Sequence, residues 1–243
     1  MKQFIENKRS LIVALDVPTI DRCIDVVRAT AKIPEVGAYK IGFELAFEGL
    51  DIVADTICSE YNRINTGRIP RLIYDHQKAG TDIPDTGVAF AKKLHHAGID
   101  CAILFPFAGP ATQSAWTKAC QDQRLRVMIG VVMTHPQFLE NEGGYIAQNA
   151  PERIFDQAAA EGVRDFVIPG TKPHWVNRIL TILKFVSDCT FSSPGFFKQG
   201  GDVRAFSKLI GDRPFYPIVG REIYAKETVE DMRRATQRIV EQL

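Results

Sequence analysis

Short apolar runs recur along the chain, and each is followed by a stretch of helical character. The first is Leu11-Ile-Val-Ala-Leu-Asp16. Then come Ala38-Tyr-Lys-Ile-Gly42, Arg71-Leu-Ile-Tyr-Asp75, Cys101-Ala-Ile-Leu-Phe105 and Val127-Met-Ile-Gly-Val-Val-Met133. Asp165-Phe-Val-Ile168, Cys189-Thr-Phe-Ser192 and Phe215-Tyr-Pro-Ile-Val-Gly220 bring the number to eight. These runs are continuous and do not alternate, the pattern of strands buried on both faces, as in a parallel sheet. The stretches between them carry a helical stripe. Thr86–Ala97 sets Val88, Ala91 and Leu94 on one face, and Thr228–Leu243 does the same with Val229, Met232, Ala235 and Ile239. Thr19 is a candidate helix N-cap, as is Thr228, with Asp231 at capping-box spacing. Asp51–Pro70 is long for one helix and suggests an extra turn. Eight strand–helix units predict an α/β fold closed as a (β/α)8 TIM barrel, with residues 1–243 as a single domain. An open doubly wound sheet is the alternative. Against it, no GxGxxG follows the first run.

Composition narrows the class. The chain has 243 residues, an ordinary size for one such barrel, and is 45% hydrophobic. Thirty basic residues face 29 acidic ones, so no global field favours nucleic acid, and an anionic ligand must be held by a local site. No apolar run reaches membrane-spanning length, and the start MKQFIENKRS lacks a signal-peptide core. The five cysteines are widely spaced and form no CxxC pair, which fits reduced thiols in a cytoplasm.

Barrel enzymes place their chemistry at the C-terminal ends of the strands. Five of the predicted ends carry polar residues: Asp16, Lys40, the segment Asp75-His-Gln-Lys78-Ala-Gly-Thr-Asp82, Thr134 with His135, and Arg221. One alone would read as a solvated cap; five on one rim favour a site. The loop Ser193-Pro-Gly-Phe-Phe-Lys-Gln-Gly-Gly-Asp202 and the run Ile218-Val-Gly-Arg221 belong to the last two units, where barrels often bind phosphate with backbone N–H groups and a helix N-terminus. Gly200 and Gly201 permit close backbone approach, and Arg221 supplies a bidentate cation. The plainer alternative is a flexible glycine turn beside a surface arginine.

Lys40, Asp75, Lys78 and Asp82 alternate in charge. A lysine between carboxylates stays protonated, which makes it a poor Schiff-base nucleophile and a good proton donor. A carboxylate held against an anionic substrate group repels it, and loss of that group as CO2 relieves the repulsion while the ammonium protonates the carbanion. A salt-bridge network bracing the third strand is the structural alternative.

Ala14-Leu-Asp16, Lys40-Ile-Gly42, the Asp/Lys/Asp-Ile-Pro-x-Thr segment, Asp165-Phe-Val-Ile-Pro-Gly-Thr-Lys-Pro173, Ser193-Pro-Gly with Gln199-Gly-Gly-Asp202, and Val219-Gly-Arg221-x-Ile-Tyr224 together resemble the orotidine 5′-monophosphate decarboxylase family, in order and over nearly the whole chain. The resemblance implies a homodimer with shared active sites that converts orotidine 5′-phosphate to uridine 5′-phosphate and CO2 in pyrimidine synthesis, with no metal and no cofactor. It implies ribose binding by Asp16 and Lys40, stress on the substrate carboxylate by Asp75, and protonation of C6 by Lys78. Asp82, Ile83 and Thr86 would reach the neighbouring subunit's site, and Thr134 would contact the pyrimidine. Gln199 and Arg221 would hold the phosphate, within the substrate-binding motifs that contain Pro194, Gly200 and Gly220.

The chain departs from the family pattern twice. The usual Asp-x-Lys-x-x-Asp spacing is here Asp75-x-x-Lys78-x-x-x-Asp82, two residues longer. Anchored on Asp82, the pattern would put Gln77 and Ala79 where the acid and lysine belong. A bulge, which Gly80 permits, is the favoured reading, because all three residue types survive in order. Phe196-Phe197 also stands where a second glycine is usual, which predicts a stiffer loop. His135–Tyr145 suits either a water-excluding lid or a plain surface loop. His95-His96 lacks metal-ligand spacing. Two rivals share the scaffold. One is a metal-dependent sugar-phosphate decarboxylase or hexulose-phosphate synthase, which carries an acidic residue where Lys40 stands. The other is a non-catalytic barrel that binds a nucleotide monophosphate.

Overall fold

The computed structural model describes residues 3–65, 67, 69–76, 81–196 and 202–243. Eight parallel strands close into a barrel in sequence order: β1 (Leu11–Leu15), β2 (Val36–Ile41), β3 (Arg71–Asp75), β4 (Cys101–Leu104), β5 (Arg126–Gly130), β6 (Asp165–Val167), β7 (Thr190–Ser193) and β8 (Phe215–Val219). Each of the eight expected runs contains or overlaps one strand, with ends shifted by a few residues.

The helices are α1 (Ile20–Thr30), α2 (Phe43–Ala46), α3 (Leu50–Ile64), α4 (Thr86–His96), α5 (Pro110–Asp122), α6 (Ala150–Ala160), α7 (Pro173–Ile182), α8 (Val203–Ile210), α9 (Arg221–Tyr224) and α10 (Val229–Val240). Both expected caps form. Thr19 accepts from the Arg22 N–H at 3.2 Å, and Thr228 accepts from the Asp231 N–H at 3.1 Å. The long stretch after β2 is one continuous helix to Ile64, with a separate helical turn, α2, preceding it. Among the described residues no helix is long and apolar enough to cross a membrane.

Strand periodicity divides each run between two cores. Leu11, Val13 and Leu15 pack outward against the helices, whereas Ile12 and Ala14 join Ala38, Ile73, Cys101, Ile103, Met128, Val167, Tyr216 and Ile218 inside the barrel. The interior is therefore packed, not a pore. Phe4 and Ile5 belong to this inner core, and the Ile5 carbonyl accepts from the Tyr216 hydroxyl at 3.3 Å, so the N-terminal segment stoppers the base. At Gly130 an added Cβ would lie 2.6 Å from the Phe105 ring, which explains a glycine at the end of an otherwise apolar strand.

Candidate active site

The same alternation that fills the barrel delivers its charges. Asp16 continues the inner face two residues beyond Ala14, Lys40 two beyond Ala38, and Asp75 two beyond Ile73. Register sets Ala14 beside Lys40 and Lys40 beside Ile73, so three neighbouring strands bring the groups together at the mouth. The Lys40 ammonium donates to Asp16 Oδ1 at 2.9 Å and lies 3.2 Å from Asp75 Oδ2.

Lys40 is 3% exposed. Burial alone pushes its pKa down, but Asp75 and then Asp16 outweigh that effect, and the net shift is upward. Lys40 is therefore a fixed cation that neither ionises to a nucleophile nor releases a proton near neutrality. That matches the expectation that a lysine between two carboxylates stays protonated and is a poor nucleophile, and it counts against Lys40 itself as the proton donor.

These three residues line a cavity of about 170 Å³. Ile103, Phe105 and Val167 form an apolar part of its wall. The far side comes from the ends of the last two strands: Pro194, Gly195 and Phe196 after β7, and Gly220, Arg221 and Tyr224 after β8. One cavity thus joins a charge cluster, an apolar surface and a cationic rim. Arg221 is exposed on α9 and has no ion-pair partner among the described residues.

Tyr224, which the motif contained without a role, sits beside Asp16. Burial first, and the Asp16 charge second, raise its phenol pKa. Phe196 is buried against Phe206 and Phe215, with ring centroids 5.4 and 5.8 Å apart. The residue that departs from the expected glycine pattern is thus anchored after β7 by aromatic packing.

Other expected site residues lie elsewhere. Asp82 and Ile83 are exposed, Thr86 and Thr134 are half-buried, and none of the four lines this cavity. The Ile83 carbonyl is held by Trp116 Nε1 at 3.0 Å and by the Thr86 hydroxyl at 2.8 Å, which fixes the turn that presents Asp82 and Ile83 to solvent. Lys78, Gln199 and Gly200, with Gln77, Ala79, Gly80, Phe197 and Gly201, lie outside the described residues.

The loop after β5 is tied down. Phe138 and Leu139 are buried, Glu142 accepts from the Phe138 N–H at 3.2 Å, and Lys172 pairs with Glu142 at 2.7 Å. His135 is exposed and its carbonyl accepts from Lys172 at 3.3 Å, in keeping with a structural reading of that residue.

Comparison with known proteins bears on the family and the fold. The family model described as "Orotidine 5'-phosphate decarboxylase / HUMPS family" matches residues 9–235. The curated orotidine 5'-phosphate decarboxylase of Methanosarcina mazei is 28% identical, covering 93% of this chain and 93% of its own length. That of Pyrococcus furiosus is 32% identical, covering 67% of this chain and 68% of its own. The crystal structure of orotidine 5'-monophosphate decarboxylase from Methanocaldococcus jannaschii, complexed with the inhibitor BMP, shares the fold. Its TM-score is 0.78 at 24% identity, covering 97% of this chain and 98% of that one.

Proposed function

The chain belongs to the orotidine 5'-phosphate decarboxylase / HUMPS family, and we propose that it converts orotidine 5′-phosphate to uridine 5′-phosphate and CO2 in de novo pyrimidine biosynthesis. The observation that carries this reading over its sister activities is Lys40. A buried ammonium held by Asp16 and Asp75 occupies the position where metal-dependent members of the scaffold carry an acidic residue. A cation already seated there would repel a divalent metal.

The chemistry follows from the charge arrangement. Asp75 stands against the substrate carboxylate, and the C6–CO2 bond breaks with its electron pair left on C6. The Lys78 ammonium gives that carbon its proton and recovers one from water. Lys40, too well stabilised to donate, holds Asp75 ionised and, with Asp16, binds the ribose hydroxyls. Arg221 and Gln199 take the phosphate, with Pro194, Gly200 and Gly220 lining its seat. The apolar wall of Ile103, Phe105 and Val167 keeps water from the reacting carbon. No metal and no organic cofactor enters this scheme.

The site is completed across a homodimer, with Asp82, Ile83 and Thr86 reaching the partner's cavity and Thr134 contacting the pyrimidine. Exposed apolar side chains support such an interface. Phe43 and Phe47 follow β2, and Ile83 and Val88 follow β3, the neighbouring strand. The protein acts as one domain in the cytoplasm.

The test is turnover of orotidine 5′-phosphate by wild type and Lys78→Ala, following uridine 5′-phosphate. Wild type is expected to turn over without added metal, and the variant to lose most of that activity. A folded wild type that forms no product, or activity abolished by chelation, would overturn the assignment. Full activity in Lys78→Ala would overturn the role of Lys78 alone.

A further inference from the structure

Arg221 can hold a phosphate only if α9, the single turn that carries it, is itself held. That turn is four residues long and begins at Gly220, whose flank is filled: a Cβ there would lie 2.8 Å from Tyr224 Cε1 and 3.2 Å from the Ala14 carbonyl oxygen. Its C-terminal end has a different problem. The last carbonyls of any helix lack partners within the helix, and only residues 225–228 separate α9 from α10.

One side chain from the opposite edge of the barrel seam meets this need. Arg22, in the first turn of α1, donates from Nη2 to the Tyr224 carbonyl at 2.8 Å and also to the Lys226 carbonyl. Its Nη1 lies 3.5 Å from the Glu227 carbonyl and 3.5 Å from Asp25. The Arg22 backbone is fixed in turn by the Thr19 cap. A guanidinium suits this place for two reasons. It is planar with several fixed donors, so it gathers neighbouring carbonyls that an ammonium would meet fewer of. Its charge also strengthens the hydrogen bonds it gives to those carbonyls.

We propose that Arg22 is a positioning residue for the phosphate grip. It touches no substrate and acts by fixing α9 so that Arg221 faces the cavity. This rests on the reading that Arg221 binds the substrate phosphate. Arg22 thereby links the end of the β1 unit, which supplies Asp16, to the end of the β8 unit, which supplies Arg221. The two halves of the binding site are set at a fixed distance by one side chain.

The experiment is a double-mutant cycle on steady-state turnover of orotidine 5′-phosphate, using wild type, R22Q, R22K, R221A and R22Q/R221A. R22Q should raise KM about tenfold while kcat stays within about twofold, since a small misplacement of a binding group weakens capture without altering the chemical groups. R22K should fall between wild type and R22Q. In the R221A background R22Q should cost less than about twofold more in kcat/KM, because the group it positions is gone. A merely structural arginine would give additive losses, or a lower melting temperature with KM unchanged, and either result overturns the proposal. If R22Q does not fold by circular dichroism, R22K decides, and a wild-type KM in R22K overturns it. A wild type without turnover would overturn the decarboxylase reading as well. Normal turnover with R221A indistinguishable from wild type would overturn the phosphate role and the positioning role while sparing the decarboxylase.

Discussion

The barrel interior holds a buried charge cluster at each end, and the two are built on opposite plans. At the base, Arg126 stands two residues before Met128 and Asp165 two before Val167, on the inward parity of β5 and β6. Arg126 donates to Asp165 Oδ2 from Nε at 3.0 Å and also from Nη2, while Thr190 donates to Oδ1. Here one cation and a hydroxyl serve one carboxylate, which is 2% exposed. At the mouth, among the described residues, the Lys40 ammonium contacts two carboxylates and the group lines a cavity. At the base the carboxylate is covered by its partners, and of the three only Arg126 and Thr190 reach the pocket beside it; at the mouth both carboxylates line the cavity, next to an apolar wall. Burial of a charge is thus no sign of function by itself. Whether the carboxylates themselves line a space separates a brace from a candidate site.

Substitutions at the two ends should divide activity from stability. Lys40→Met removes the shared cation, and kcat/KM for orotidine 5′-phosphate should fall about 10²- to 10³-fold, the scale for deleting one preorganised electrostatic group. Activity within a few-fold of wild type would erase the distinction. Arg126→Met should do the reverse. Leaving Asp165 buried without its cation should cost about 3 kcal/mol in urea unfolding, with kcat/KM at 25 °C preserved. A variant as stable as wild type would show that the base brace is dispensable. Thr190→Val is the mildest change and should lower stability by about 1–2 kcal/mol, because one acceptor oxygen of a buried carboxylate loses its donor.

Proton linkage sharpens the contrast. The Lys40 pKa is raised in the folded state, so its contribution is fully present below the ordinary lysine value of 10.5 and is lost only as pH rises through the higher folded value. The stability difference between wild type and Lys40→Met should therefore hold constant from neutrality up to the ordinary lysine value of 10.5 and fall above it. Shrinkage near neutral pH would contradict the direction. Asp165 is also raised, by burial first, with Arg126 and Thr190 opposing. A raised carboxyl loses stability as pH climbs from 3.8 through the folded value. Arg126→Met removes an opposing charge, so its urea midpoint should fall with pH over a wider acid-to-neutral range than that of wild type.

Strand and cap positions were legible in the sequence because they depend on local pattern. Parallel strands buried on both faces leave unbroken apolar runs, and Thr19 and Thr228 announce their helices within three residues. Asp16, Lys40 and Asp75 were also legible, since each ends a run and barrel geometry gathers run ends on one rim. Three features were not. The Arg126–Asp165 pair joins residues 39 apart at the starts of strands, where a charge reads as solvated. The Arg22 contacts span more than 200 residues and reach backbone carbonyls, which no side-chain motif records. Phe196 looked like a loop anomaly because its partners, Phe206 and Phe215, lie in the next helix and strand. Each of these depends on which elements become neighbours in the fold, and no sequence period reports that.

The seam where the barrel closes is its shortest pairing. Strands β1 and β8 pair through Ile12–Ile218 and Val13–Val219, with a further bridge from Arg9 to Phe215 just before β1, whereas β1 and β2 share five pairs. Asp16 leaves one side of this seam and Arg221 the other. Asp16 and Arg221 therefore share a cavity only because the first and last strands of the barrel meet there. A substitution that loosens the seam should separate the charge cluster on one wall of the cavity from the cationic rim on the other, with every lining residue unchanged.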